Sequence, residues 1–198
     1  MRFFRPPALA PLFYRDALFR TETERKELCL TFDDGPDESS TPAILDTLKA
    51  YQVRAAFFCS GSRAESNPLL MSRVRSEGHI AGNHGYSHLN GFRTPLREYA
   101  ADIMRASEFT SPYLFRPPFG MLSPAQYRIL GKTYRIIFWD LMPYDFDVSF
   151  GSARSLEVLR SGIRKGSIIV FHDKPGSLVN DILEPFMDYA LAEGYSFV

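Results

Sequence analysis

At 198 residues the chain is the size of one ordinary domain, long enough to bury a core and short for two. Hydrophobic residues at 45% and charged residues at 23% fit a globular protein and exclude a disordered or fibrous one. Lys plus Arg equals Asp plus Glu at 23 each, so no net field draws in nucleic acid or an anionic membrane, and a neutral polymer or small molecule is the better-matched partner.

Residues 1–20 interrupt their apolar positions with Arg2, Arg5, Pro6, Pro7, Pro11, Arg15 and Asp16. That leaves no continuous apolar stretch for a signal peptide, and no run elsewhere reaches membrane-spanning length, so a cytoplasmic location without an integral membrane segment is expected. Aromatic residues of this N-terminal extension, residues 1–26, are expected to pack back onto the domain. The alternative is that Phe3, Phe4, Leu12, Phe13 and Tyr14 touch a membrane surface. The domain proper is expected over residues 27–198. Two cysteines, Cys29 and Cys59, are too few for a disulfide framework and are expected as buried free thiols.

Residues 27–32 (ELCLTF) read as a buried strand halted by Asp33-Asp34-Gly35-Pro36. Thr41-Pro42 opens a helix, with the Thr41 hydroxyl as its cap and Ile44, Leu45 and Leu48 at helical spacing. A strand over 55–59 (AAFFC) follows, then a helix from Asn67-Pro68 to Gly78 and a short strand at 79–83. The alternation continues with a helix over 94–109, a strand at 113–116, a helix over 123–132, a strand at 134–140, a helix over 152–164, and strands at 167–172 and 195–198. About seven strands alternating with helices imply an α/β fold paired in parallel, either an open doubly wound sheet or a barrel. In both, ligands bind where the strands end.

Those strand ends carry the chemistry. Adjacent carboxylates at Asp33 and Asp34 are costly unless a metal or cation stabilises them, and neighbouring strand residues face opposite ways, so one can bind an ion while the other points at a reacting water. Alone, the pair reads equally well as a solvated Asp-Gly turn. His84 and His88, four apart in NHGYSH, are placed to converge on one ion from a loop, against the plainer reading of two exposed histidines. Asp34, His84 and His88 suit zinc or another borderline divalent ion with a position left open. In LFRPPFG, Arg116 could hold a carboxylate ionised through a bidentate pair and the rigid prolines could aim the Phe119 amide as an oxyanion donor, against the plainer and commoner reading of an ordinary loop. A lone histidine after a strand is usually structural, which is how His79 reads, but His172 stands in company that could make it a general acid oriented by Asp145.

Taken in order, TFDDGP, HGYSH, RPPFG, WDLMPYDF and VFHD make residues 31–172 resemble the polysaccharide deacetylases, carbohydrate esterase family four. The resemblance implies a single domain built as a distorted (β/α)7-type barrel with its groove at the C-terminal ends of the strands. It implies Asp33 as general base, Asp34, His84 and His88 as metal ligands, Arg116 as the partner of Asp33, and His172 as general acid tuned by Asp145. Phe119 would donate its amide, and Val170 would line the acetyl pocket. The cofactor implied is one divalent ion, zinc first, with cobalt or nickel as alternatives. The activity implied is hydrolysis of acetyl groups from an N-acetylated sugar or glycan. Met142 and Phe146 depart from the family pattern, which has aspartate and tryptophan at those places; they keep open a non-catalytic carbohydrate-binding protein or an amidohydrolase of a non-sugar amide.

Overall fold

A computed structural model describes residues 3–198; Met1 and Arg2, part of the N-terminal extension, lie outside them. Its strands are β1 (Glu27–Asp34), β2 (Ala56–Cys59), β3 (Ile80–Asn83), β4 (Leu114–Phe115), β5 (Arg135–Ile136), β6 (Ser167–His172) and β7 (Ser196–Phe197). All pair in parallel, in the order β5-β4-β3-β2-β1-β6, with β7 beside the start of β1. A short helix α1 (Ala10–Phe13) precedes the sheet, and α2 (Thr41–Ala50), α3 (Gly61–Ser66), α4 (Pro68–Ser76), α5 (Leu96–Ala106), α6 (Pro124–Leu130), α7 (Ser152–Gly162) and α8 (Val179–Ala192) occupy the crossovers.

The expected strand at 134–140 is ordered as β5 for only two residues, because the segment serves both edges of the sheet. After pairing with β4 it crosses to β6, where the Asp140 and Leu141 amides donate to the Ile168 carbonyl at 2.8 and 3.2 Å and the Val170 amide donates to Leu141 at 3.0 Å. This crossing closes the sheet into a distorted barrel, in a single domain. N-terminal residues fill the remaining gap: Leu18 bridges Ile137 and Arg20 bridges Ser167.

Alternation along β1 sorts its side chains into two environments. Leu28, Leu30 and Phe32 face outward into the main core, against Ile44, Leu45 and Leu48 of α2 and Ile182, Leu183 and Phe186 of α8. Cys29 packs on the other side with Phe58, Ile137 and Ile168, the barrel interior, and Thr31 and Asp33 share its face. The cysteines are unpaired, but Cys29 is half-buried rather than buried as expected, since it lies near the open lower end of that interior.

Helix α8 escapes the sequence reading because Pro185 sits inside it, removing a main-chain donor. Its face of Val179, Ile182, Leu183, Phe186, Met187 and Ala190 is nonetheless wholly buried, which outweighs that loss. Thr41 does not cap α2 as expected. Its hydroxyl accepts from the Asp37 amide at 2.7 Å and donates to Asp173 at 2.6 Å, while the Ser40 hydroxyl donates to the other Asp173 oxygen at 2.5 Å. That carboxyl stands where a side chain at Gly35 would go: a Cβ there would lie 2.1 Å from Asp173 Oδ2. No helix among the described residues is long and apolar enough to cross a membrane.

Candidate active site and metal centre

The C-terminal ends of β1, β3, β4 and β6 open into a cavity of about 250 Å³. Asp33, Asp34, His84, His88, Phe119, Phe146, Val170 and His172 all line it, while Arg116 and Asp145 stand behind the wall, each fully buried. Thus the structure brings every expected site residue to one place, eight on the surface of the cavity and two supporting it.

Three ligand atoms from Asp34, His84 and His88 lie within 4.8 Å of one another. Asp34 Oδ1 is 3.6 Å from His84 Nε2 and 3.1 Å from His88 Nε2. Arms of about 2.0–2.1 Å at tetrahedral angles put ligand atoms roughly 3.3–3.5 Å apart, so these spacings fit one ion. His84 Nδ1 lies 2.8 Å from the Arg116 carbonyl; carrying its proton there, the ring leaves the Nε2 lone pair for a metal. Burial holds His84 neutral, pulling its pKa down to about 4, which again suits a ligand. Burial alone would raise Asp34, but the His88 hydrogen bond and the charges of the surrounding histidines, His84 included once acid protonates it, hold it well below the usual carboxylate range.

The loop that carries the histidines is fixed from α5. Asp102 accepts from the Tyr86 amide at 2.8 Å and the Ser87 amide at 3.0 Å, and buried Asn83 accepts from the Gly85 amide at 2.8 Å while donating to Ile103 at 2.9 Å. Asp34, His88 and Phe119 all adopt positive φ, at 79°, 55° and 59°. Such conformations in residues with side chains are costly and gather where surrounding structure enforces a functional arrangement. For Asp34 this means that strand alternation is only part of the reason it diverges from Asp33.

Arg116 forms one hydrogen bond to Asp33, Nη1 to Oδ1 at 2.7 Å, rather than the expected bidentate pair. Its other donors are spent on the barrel wall: Nη1 also reaches Thr31 Oγ1 at 2.7 Å, and Nη2 and Nε reach the Phe138 and Ile137 carbonyls at 2.8 and 3.3 Å. The guanidinium lies 4.1 Å from the centre of the Phe58 ring, a cation on an aromatic face inside the barrel. This leaves Asp33 Oδ2 free of Arg116 and 3.9 Å from His84 Nε2, beside the metal ligands.

Beside Asp33, its register neighbour on β1, His172 is held twice by one carboxylate. Its amide donates to Asp145 Oδ2 at 2.7 Å and its Nδ1 lies 2.9 Å from Asp145 Oδ1, which directs Nε2 away from the pair. Burial opposes the imidazolium, but Asp145 by charge and hydrogen bond, with Asp34 and Asp33 behind it, raises the His172 pKa. Ser177 donates to Asp145 at 2.9 Å. Phe146 packs edge-on against His172 at 4.6 Å, and Phe119 does the same against His88 at 4.5 Å. His79, read as structural, accepts from the Ala55 amide at 3.2 Å away from this site.

Lys174 is a site residue that the sequence reading missed. Its ammonium is 3.2 Å from Asp34 Oδ2, the oxygen turned away from the histidines, and 5.3 Å over the Phe146 ring. Its position two residues beyond His172 was the available signal. Met142 and Trp139 also line the cavity. Gly120, at φ +65°, lets the loop lie against Trp139, where a Cβ would come within 2.6 Å of the indole.

A family model described as polysaccharide deacetylase matches residues 20–133. A peptidoglycan-N-acetylglucosamine deacetylase of Bacillus cereus is 33% identical over 184 residues, covering 88% of this chain and 66% of that protein. A second such deacetylase of the same strain is 31% identical, covering 87% of this chain and 85% of that protein. The crystal structure of a peptidoglycan N-acetylglucosamine deacetylase bound to an aryl hydroxamate superposes with a TM-score of 0.86 at 30% identity, over 92% of this chain and 90% of that one.

Proposed function

The chain belongs to the polysaccharide deacetylase family, and we propose that it is a metal-dependent hydrolase removing acetyl groups from N-acetylated sugars, with a peptidoglycan-type glycan as substrate class. The observation that carries this reading is the convergence of three ligand atoms within 4.8 Å, flanked by Asp33 and His172 across one cavity. The donor set of two imidazoles and one carboxylate favours zinc, with cobalt or nickel as substitutes.

Asp34, His84 and His88 would hold a divalent ion, which when bound would supply Lewis acidity and a more acidic water. Asp33, held by Arg116 through Oδ1, takes the proton of the attacking water at Oδ2, the oxygen that Arg116 leaves free. The Phe119 amide, first N–H after two prolines, donates to the developing oxyanion. His172 then delivers a proton from Nε2 to the departing amine, and Asp145 stabilises the imidazolium before transfer. Val170 and Trp139 give the acetyl methyl an apolar seat. The reaction is acyl transfer to water without a covalent intermediate.

The test is acetate release by metal-stripped and reloaded protein from N-acetylglucosamine oligomers, muropeptides and a non-sugar acetamide. Metal-dependent acetate from the sugars alone is expected. Release from the non-sugar amide alone would overturn the substrate class, and tight glycan binding without acetate would overturn the activity.

A further inference from the structure

A second cavity of about 590 Å³ continues from the catalytic one, with Phe119, Gly120, Trp139 and Met142 lining both. Its far walls come from the N-terminal segment, Leu9, Phe13 and Tyr14, and from Phe92. Of the N-terminal residues expected to pack back, Phe4 and Tyr14 do so, whereas Phe3, Leu12 and Phe13 stay exposed; around this one mouth Phe13 is joined by Leu9 and Phe92, the three being 66%, 63% and 60% exposed. Solitary exposed apolar residues need no explanation, but a concave cluster joined to a reaction site does.

Apart from the Trp139 indole N–H, which is buried without a partner, the polar side chains of the groove are already engaged. Arg5, its one charged lining residue among those described, bonds the Asp140 carbonyl at 3.1 Å, the Asp140 carboxylate at 2.5 Å and the Gly162 carbonyl. The Tyr14 hydroxyl donates to Leu122 at 2.5 Å and the Tyr144 hydroxyl accepts from the Phe3 amide at 2.8 Å. A sugar filling this space would give up water for walls with few side-chain groups to replace it, whereas an apolar chain gives up nothing.

We propose that this groove binds the apolar chain of an amphiphilic substrate, an acetylated sugar joined to a long alkyl or prenyl aglycone, while the acetamide lies at Asp34, His84 and His88. The proposal rests on the deacetylase reading of the site. Alkyl hydroxamates, from acetohydroxamate to decanohydroxamate, are suitable probes with the metal-loaded full chain, because the headgroup reads the metal site and the tail reads the groove. Binding is followed by the fluorescence of Trp139, the chain's single tryptophan, which lines both cavities. Affinity should rise about three- to fourfold per buried methylene. Phe13→Glu and Leu9→Glu, both at exposed positions, should flatten the series while acetohydroxamate binds as before.

Affinity independent of tail length, or a gain that survives both variants, would overturn the groove. So would affinity that grows with the number of sugars in an N-acetylglucosamine series but not with tail length, or vesicle binding without tail-length dependence, which would make the patch a membrane contact. Failure of acetohydroxamate itself would overturn the metal-site reading, and the groove's role with it.

Discussion

Replacing Arg116 with methionine keeps an unbranched apolar stem in the barrel and removes the guanidinium with its charge. Arg116 has no exposed surface and Asp33 only 4%, so the change strands a carboxylate in a site shielded from water. Removing one member of a buried pair costs about 3–5 kcal/mol. Thr31, Ile137 and Phe138 each lose a donor as well, although the 3.3 Å contact to Ile137 is the weakest. Adding about 1 kcal/mol for the better of these contacts brings the loss to roughly 4–6 kcal/mol. Stability of a domain is only about 5–15 kcal/mol, so Arg116→Met should be marginally folded. The remedy distinguishes a charge effect from loss of packing. Combining Arg116→Met with Asp33→Asn removes the stranded charge and should recover about 2–3 kcal/mol, giving a double-mutant cycle far from additive. Urea unfolding of the metal-free proteins at neutral pH, followed by far-ultraviolet circular dichroism and Trp139 fluorescence, measures the four corners. Losses that add within about 0.5 kcal/mol would refute the electrostatic coupling of Arg116 and Asp33.

Burial opposes the His172 imidazolium but Asp145 raises its pKa on balance, so the alkaline limb of the kcat/KM profile, where the acid loses its proton, should lie above the ordinary histidine range; Asp145→Asn should move that limb to lower pH. The same pair contributes stability that is full below the unfolded histidine pKa and lost as pH rises through the raised folded value. Asp102→Ala unpins the histidine loop at two amides, and a chelator-competition titration should show metal affinity reduced by about 10–100-fold with the fold retained. Lys174→Met removes a cation 3.2 Å from a ligand carboxylate and should tighten metal binding in the same titration; weaker binding would show that Lys174 aids ligation by holding Asp34 in place.

Much of the site was legible because its residues announce themselves locally. β6 ends where the apolar run SIIVFH ends, and Asp33 and Asp34 stand where β1 meets Gly35 and Pro36. What was hidden is tertiary. No pattern within residues 134–140 says that the segment leaves β4 and crosses to β6, and nothing in LFRPPFG says that carbonyls of the barrel wall take the donors a bidentate pair would need. Asp102 and Asn83 look like ordinary polar residues until the histidine loop folds over them. The general-base role of Asp33 came from resemblance to a family, and the geometry beside it is what makes that role chemically workable.

The most direct test of the account pairs metal stoichiometry with turnover in two variants. Asp33→Asn should keep one divalent ion per chain and release no acetate from an N-acetylglucosamine oligomer, whereas His84→Ala should lose both the ion and the activity. Substantial acetate release by Asp33→Asn, or an unchanged ion content in His84→Ala, would contradict the assignment of base and ligand on which the account stands.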